Sequence, residues 1–307
     1  MKSAARLSRR GFIIAGASGL GALTLEASVS KPENQEPPYP MPSAGKIRIA
    51  VVQQPVVPGA VSANRKKALA YALQALEGGA DIVIFPEEVL VGYVENMKEL
   101  AEPQDGPTSR AFQSLLEGSE AQILWGLTER CEGKYHIAAT LVGADGVRAN
   151  YRKTHLWWKA KGLRDETKFY EAGNELVTIT VKGHKCGVMI CYDGDFPEMT
   201  RCYANLDCGV IFWLNNRGER GHEEVRPLAE GNSMIIAASC ICDENELGYK
   251  CRGGSNITGH DGTLLAEIWD EEGVIYADVD PAQALEARAE NPWYVGRRPD
   301  LYSRYQD

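Results

Sequence analysis

Three short segments of the sequence each bring a reactive side chain to the end of an apolar run. The reactive groups are the carboxylate of Glu87, the ammonium of Lys153 and the thiol of Cys191. Strand ends are where layered α/β folds place their sites. A thiol near helix-terminal N–H groups and a cation is more often the thiolate that attacks electrophilic carbon. The three residue types therefore indicate nucleophilic chemistry centred on Cys191.

Each of these residues also has an ordinary structural interpretation. A single cysteine after a strand is often a small buried hydrophobe. Glu87 could be a surface-loop acid, although a carboxylate directly after an apolar strand and a proline is costly to bury without a partner. Lys153 could be a solvated base on an edge strand. Their occurrence together, each with its flanking residues, favours a common site.

The elements that must position these residues follow a strand-helix-strand order. Residues 46–53 alternate as a buried strand does, and residues 63–77 carry an apolar helical stripe that Ser62 or Asn64 could cap. Residues 81–85 are almost wholly apolar, as in a strand covered on both faces. Further strands are predicted at 122–127, 135–142, 177–181, 185–190, 209–213, 234–239, 254–257 and 274–279, and further helices at 108–116, 197–205, 223–230 and 282–289. The class is α/β, with one catalytic domain.

Composition and charge exclude several other classes of protein. The chain has 307 residues, of which 44% are hydrophobic and 24% charged, an ordinary globular composition rather than a disordered, collagenous or coiled-coil one. Its formal net charge of -9 repels phosphate backbones, so nucleic acid is not an expected partner.

With their neighbours, the three segments resemble the motifs of the nitrilase superfamily of carbon-nitrogen hydrolases. That family has a Pro-Glu followed by Gly-Tyr, a Tyr-Arg-Lys, and a Cys-Tyr/Trp-Asp/Glu followed by Phe-Pro-Glu, and all three occur here. The resemblance covers residues 46–303. It implies a four-layer αββα sandwich, in which two sheets pack face to face between helix layers, and a homodimer or higher homo-oligomer.

The resemblance also implies the role of each group. Glu87 is then the general base that takes the thiol proton, and the sulfur of Cys191 attacks the carbonyl or nitrile carbon. Lys153 and the backbone N–H of Tyr192 then face the oxygen that becomes negative. No metal or organic cofactor is implied.

A further acid commonly follows the lysine in this family and hydrogen-bonds to it. Glu166 matches that position best, and Asp165 and Glu171 are alternatives.

The substrate class follows less directly. Cys191-Tyr192-Asp193 resembles the amidase and carbamoylase branches, which predicts hydrolysis of a small linear amide or an N-carbamoyl compound (ureide) through a thioester. A nitrilase is the alternative, because residues 228–231 and 251–255 resemble the nitrile branch. A non-catalytic amide-binding protein on the same fold is the second alternative.

Four side chains near the motifs could influence the substrate. Trp157, Trp158 and Tyr192 could line a pocket for an apolar acyl group, although core packing explains tryptophans equally well. Asp195 could cap the helix that follows it or repel an anionic substrate carboxylate.

The first thirty residues have the layout of an export signal. Four basic residues precede an apolar stretch, residues 11–25, that is shorter than the roughly 20 residues needed to span a bilayer. Arg9-Arg10 followed by Phe12 resembles the twin-arginine motif, which the translocase for folded proteins recognises. We expect residues 1–30 to be this signal, residues 31–45 to be a Pro-rich linker, and residues 46–307 to be the hydrolase domain with its tail. The expected location is periplasmic, or otherwise exported by the twin-arginine route.

The cysteines and histidines do not show metal-ligand spacing. The chain has eight cysteines and five histidines, with no Cys-x-x-Cys pair. Disulfide pairing stays open, because export of a folded chain is compatible with buried thiols whereas an oxidising compartment permits one or two bridges.

Overall fold

Strands alternate with helices along the described part of the chain, which in this computed structural model comprises residues 45–159, 162, 165–216, 221–244 and 250–305. The strands in chain order are β1 Ile47–Gln53, β2 Ile82–Ile84, β3 Gln122–Cys131, β4 Lys134–Gly143, β5 Gly146–Arg152, β6 Thr178–Val181, β7 His184–Ile190, β8 Val210–Leu214, β9 Ile235–Ser239, β10 Cys242–Glu244, β11 Lys250–Thr258, β12 Leu264–Trp269 and β13 Gly273–Val279. The helices are α1 Val61–Glu77, α2 Met97–Leu100, α3 Pro107–Leu115, α4 Pro197–Asn205, α5 His222–Asn232, α6 Pro281–Glu290, α7 Pro292–Val295 and α8 Pro299–Tyr302.

The strands form two mixed sheets. The first has the order β13-β1-β2-β3-β4-β5, and β2 runs parallel to both β1 and β3. The second has the order β10-β11-β9-β8-β7-β6, with β12 beside β11, and β7, β8 and β9 run parallel. The apolar runs of β2 and β8 are buried along their whole length, as parallel strands covered on both faces require.

The sheets pack face to face, and helices cover their outer faces. Hydrogen bonds join the sheets: Ser239 Oγ donates to the carbonyl oxygen of Val52 at 2.6 Å, and Ser255 Oγ donates to Gln53 Oε1 at 2.7 Å. Helices α1 and α3 contact the first sheet, and α4 and α5 contact the second. The four-layer αββα sandwich predicted from the motifs is therefore confirmed.

The start of α1 differs from the prediction. The helix begins at Val61 after Ala60, and neither Ser62 nor Asn64 is its cap. The Asn64 side chain is buried and donates to the carbonyl oxygens of Val57 at 2.8 Å and of Leu90 at 2.7 Å. Asn64 therefore ties the helix to the loop after β2, and that tertiary contact replaces the expected cap. The helix ends at Glu77 as predicted, and Gly79 follows it with a left-handed φ of 76°.

Two predictions fall on or near the amino-terminal residues. The export signal, residues 1–30, and the linker, apart from Gly45, lie outside the described residues. Among the residues that are described, no helix is both long and apolar enough to cross a bilayer.

None of the eight cysteines is disulfide-bonded in the structure.

Candidate active site

Glu87 lies on the loop that follows β2 and is completely buried. Its Oε1 accepts a hydrogen bond from Lys153 Nζ at 2.8 Å, and its Oε2 accepts one from the backbone N–H of Asn216 at 2.9 Å. Asn216 follows β8 in the other sheet, so Glu87 bridges the two sheets. Both partners stabilise the carboxylate form, and a surface-loop position for Glu87 is excluded.

The loop that carries Glu87 lies directly over Gly126 of β3. A Cβ atom at Gly126 would overlap the carbonyl oxygen of Pro86 and come within 2.7 Å of Glu87 Cα. We expect Gly126→Ala to lower the free energy of unfolding by about 1–3 kcal/mol, because the loop must shift to admit the methyl group. Urea denaturation measures this loss. Turnover should also fall, because the shift of the loop displaces Glu87.

Gly231 in α5 provides the matched control. Its Cβ would meet no atom within 4 Å. Gly231→Ala should therefore stabilise the helix by about 0.5–1 kcal/mol and leave turnover unchanged. Equal effects of the two substitutions would contradict the close packing at Gly126.

Lys153 immediately follows β5 and its ammonium is also completely buried. The ammonium donates to Glu166 Oε1 at 2.8 Å in addition to Glu87. Burial alone would lower the pKa of Lys153, but negative charge on Cys191, Glu87 and Glu166 outweighs it and holds the pKa well above its usual value. The lysine is thus a fixed cation. Its solvated neighbour Arg152 pairs instead with Glu129.

Glu166 lies in a single 3-10 turn, Glu166–Lys168, and is the acid that the structure brings to Lys153. Tyr93 donates its hydroxyl to Glu166 Oε1 at 2.9 Å, and the backbone N–H of Trp157 donates to Oε2 at 2.8 Å. Burial raises the pKa of Glu166, although the ammonium of Lys153 opposes that rise.

The two alternative acids bind elsewhere. Asp165 forms an ion pair with Lys168, and Glu171 forms an exposed one with Lys134. Neither carboxylate has a recorded contact with Lys153, so Glu166 is the member of the three that joins the cluster.

Cys191 opens a 3-10 turn, Cys191–Asp195, at the end of β7. Its backbone has a left-handed φ of 45°, a conformation that non-glycine residues adopt rarely and that occurs preferentially at functional sites. Trp213 Nε1 donates to its carbonyl oxygen at 3.0 Å. Cys191 is 8% exposed, and a negative charge on its sulfur would raise the pKa of both Lys153 and Tyr93, so the sulfur lies within electrostatic reach of the cluster.

Asp193 connects the cysteine turn to the segment that carries the lysine. Its buried carboxylate accepts hydrogen bonds from the backbone N–H of Ile190 at 2.9 Å and from the Tyr151 hydroxyl at 2.7 Å. It also accepts from Thr154 Oγ1 and from the backbone N–H of His155, both at 3.0 Å. A single carboxylate thus holds the ends of β5 and β7 together.

Aromatic rings surround Tyr192, the residue after the cysteine. The Tyr192 ring meets those of Trp157 and Phe196 edge to face, with centroids 4.9 Å and 5.0 Å apart. Trp158 is 57% exposed and has no recorded ring contact with Tyr192. The structure therefore brings only two members of the predicted aromatic set together. Asp195 is exposed and the N-cap of α4 is Phe196, so Asp195 does not occupy the cap position that one of its two interpretations gave it.

Sequence reasoning missed the contributions of Tyr93, Asp193 and Asn216. Tyr93 and Asp193 belong to the family motifs, but a motif does not say which partner each side chain binds. Asn216 could have been found by the strand-end argument, because it follows β8 by two residues. Among the described residues, no group of three or more His, Cys, Asp or Glu side chains could hold a metal ion.

Comparison with known proteins places this geometry in a family. The family model described as carbon-nitrogen hydrolase matches residues 48–289, which include the whole cluster. The chain belongs to the carbon-nitrogen hydrolase family. The expected membership of the nitrilase superfamily of carbon-nitrogen hydrolases is therefore confirmed.

Individual relatives agree with this assignment. The chain is 31% identical over 266 residues to a hydrolase in the pqqF 5' region of Pseudomonas protegens, an alignment that covers 83% of this chain and 90% of the relative. It is 26% identical to an (R)-stereoselective amidase from a Pseudomonas species, covering 82% and 92% of the two chains. Among solved structures, XC1258 from Xanthomonas campestris, a CN-hydrolase superfamily protein with an arsenic adduct in its active site, superposes with a TM-score of 0.74 at 24% identity, covering 82% and 97% of the two chains.

Proposed function

We propose that this carbon-nitrogen hydrolase cleaves a small linear amide or N-carbamoyl compound through a thioester on Cys191. The observation that carries the proposal is the buried ammonium of Lys153, held between Glu87 and Glu166 within electrostatic reach of the thiol. Such an ammonium is a preorganised positive charge in a water-poor site, which is what a developing oxyanion needs. The similarity to an (R)-stereoselective amidase supports an amide as substrate.

The first half of the reaction is acylation. Glu87 takes the proton of the Cys191 thiol while the sulfur bonds to the carbonyl carbon, and the C=O electron pair moves to oxygen. Lys153 and the backbone N–H of Tyr192 stabilise that negative oxygen, a role worth about 3–4 kcal/mol per donor in comparable oxyanion holes. When the oxyanion collapses, the C–N bond breaks, and the nitrogen leaves with the proton held by Glu87.

The second half is hydrolysis of the thioester. Glu87 takes a proton from water while the water oxygen bonds to the acyl carbon, and Lys153 again faces the negative oxygen. Collapse breaks the C–S bond, and the sulfur recovers the proton from Glu87. The products are an acid and ammonia or an amine, and the enzyme returns to its starting state without a redox change.

One of the two features that favour a nitrilase, the glycines of the run 251–255, has a packing explanation. Gly253 and Gly254 in the run 251–255 have φ values of 88° and 87°, which favour glycine in any case. A Cβ atom on Gly253 would overlap the carboxamide of Gln53, and one on Gly254 would come within 2.7 Å of the Trp269 ring. Gly253 therefore packs against the first sheet and Gly254 against the neighbouring strand β12, so neither glycine argues for a nitrile substrate.

A panel of substrates with one acyl group separates the candidate reactions. We expect primary amides and N-carbamoyl compounds to release ammonia and the matching nitriles to release none. Ammonia release is measured with the purified enzyme at equal concentrations of each compound. Turnover of nitriles alone would contradict the proposal, and binding without ammonia release from any compound would favour an amide-binding protein.

We propose further that the chain is exported in folded form through the twin-arginine route to the periplasm. The paired Arg9 and Arg10 and the adjoining apolar stretch support this. Replacing both residues by lysine preserves the charge but removes the guanidinium groups of the motif. We expect the protein to move from the periplasmic to the cytoplasmic fraction in that double variant, and unchanged fractionation would contradict the proposal.

A further inference from the structure

Glu88 directly follows the proposed base, yet its side chain binds a different set of partners. Its Oε1 accepts hydrogen bonds from the Tyr170 hydroxyl at 2.6 Å and from Thr128 Oγ1 at 2.9 Å. The residue is completely buried, and its Oε2 has no hydrogen-bond partner among the described residues. Its backbone has a left-handed φ of 47°, which separates its side chain from that of Glu87. The chain thus buries two consecutive carboxyl groups in different environments.

The groups that face Glu88 make its negative form unfavourable. Glu87 adjoins it on the same loop, and Glu166 reaches it from the turn packed against that loop. Lys153, the nearby cation, hydrogen-bonds to those two carboxylates. Tyr170 contributes only a hydroxyl, and the other titratable groups of the cluster are Tyr93 and Cys191.

Burial and the charge of Glu87 raise the pKa of Glu88 by more than the two hydroxyl groups lower it. Burial contributes most, the charge of Glu87 adds to it, and the result raises the pKa of Glu88 to about 8. Two adjacent buried carboxyl groups do not readily ionise together, so one of them retains a proton. Glu87 accepts hydrogen bonds from the ammonium of Lys153 and the backbone N–H of Asn216, whereas the hydrogen bonds to Glu88 come from two neutral hydroxyl groups.

We propose that Glu88 is a positioning residue that keeps its proton while Glu87 is ionised, so that the loop after β2 carries one buried negative charge instead of two. With Glu88 neutral, no repulsion displaces the carboxylate of Glu87 from Lys153 and Asn216. When Glu88 loses its proton, two carboxylates on one strained loop repel each other, and Glu87 leaves the position from which it reaches the thiol. This inference rests on the proposed role of Glu87 as the base.

The first test is a spectrum of the protonated carboxyl group. We expect the infrared spectrum of the wild-type protein to show a protonated C=O stretch that disappears as the pH rises through about 8. The band should be missing in Glu88→Gln and present in Cys191→Ala. Glu99→Gln, which changes an exposed glutamate, is the matched control and should keep the band. A band that persists in Glu88→Gln, or no such band in the wild type, would overturn the proposal.

A change at a hydrogen-bond donor keeps the test independent of Glu88→Gln. The Tyr170 hydroxyl favours the charged form of Glu88 and so lowers its pKa. Tyr170→Phe should therefore move the loss of the band to higher pH. A shift to lower pH, or no shift, would show that the titrating group is not Glu88.

The pH dependence of stability gives a second readout. Folded Glu88 binds a proton that the unfolded chain has released, so its contribution to stability is complete below about pH 4.3 and is lost as the pH rises to about 8. Over this interval the free energy of unfolding of Glu88→Gln should fall less steeply with pH than that of the wild type. The difference in slope should correspond to the one proton that Glu88 binds in the folded wild type. Superimposable pH dependences of the variant and the wild type would contradict the proposal.

Turnover then tests the link to catalysis. We expect kcat to decline in the wild type as Glu88 ionises and this decline to be absent in Glu88→Gln, with the acidic limb of the pH profile unmoved. Lys153 does not explain such a decline, because its pKa is raised well above the usual value. An identical alkaline limb in both proteins would overturn the positioning role. The infrared and unfolding tests need no substrate, so they stand even if the proposed amidase activity fails.

Discussion

Cys191→Ala is expected to bind an amide substrate and release no ammonia from it. The substitution removes the sulfur that forms the thioester, and removal of a nucleophile from a cooperating set of residues typically costs at least about 10⁴-fold in kcat. The hydrogen bond from Trp213 Nε1 goes to the backbone carbonyl of residue 191 and does not involve the Cys191 side chain, so the turn should keep its shape. Ammonia release measures turnover, and calorimetric titration with the amide measures binding.

Cys202 provides the matched control for this substitution. It lies exposed on α4, and none of its recorded contacts reaches the buried cluster. Cys202→Ala should therefore turn over substrate at close to the wild-type rate. Comparable turnover in Cys191→Ala and the wild type would show that Cys191 is not the nucleophile.

Lys153→Met is expected to lower both activity and stability. Methionine fills much of the space of the lysine stem but leaves Glu87 and Glu166 buried without their shared cation. Removing one partner of a buried ion pair typically costs about 3–5 kcal/mol of unfolding free energy. Loss of one oxyanion donor costs about 10²–10³-fold in kcat. Urea denaturation and ammonia release measure the two effects separately.

The stability deficit of Lys153→Met should depend on pH. Without the ammonium, the two carboxylates bind protons more readily in the folded than in the unfolded chain. The deficit should therefore be smallest below about pH 4, where both states are protonated, and should grow as the pH rises. Lys134→Met, which breaks the exposed pair with Glu171, is the control and should change stability and turnover little at any pH. A similar pH-independent effect in both variants would contradict a buried charged cluster.

The fold was predictable where burial leaves a clear pattern in the sequence. The continuous apolar runs of β2 and β8 reflect coverage on both faces, and both strands lie where predicted. Strands β5 and β12 were missed because both are mostly half-buried or exposed and therefore lack such a run. The cap of α1 was missed because Asn64 satisfies carbonyl groups from another part of the chain, which local propensity does not encode.

The site was predictable as a set of residues but not as a network. The flanking motif residues identified Glu87, Lys153, Cys191 and Glu166, and the structure brings the first two and Glu166 into one hydrogen-bonded cluster. The catalytic roles stay predictions. The contrast between Glu87 and Glu88 was not predictable, since it depends on a left-handed residue that turns adjacent side chains toward different partners.

Mass spectrometry of the enzyme quenched in acid during turnover identifies the residue that carries the acyl group. We expect the peptide containing Cys191 to gain the mass of the acyl group of whichever amide is used, and we expect this gain to be absent in Cys191→Ala. Active enzyme that carries the acyl group on another residue would contradict the assignment of Cys191 as the nucleophile, as would turnover by the Cys191→Ala protein.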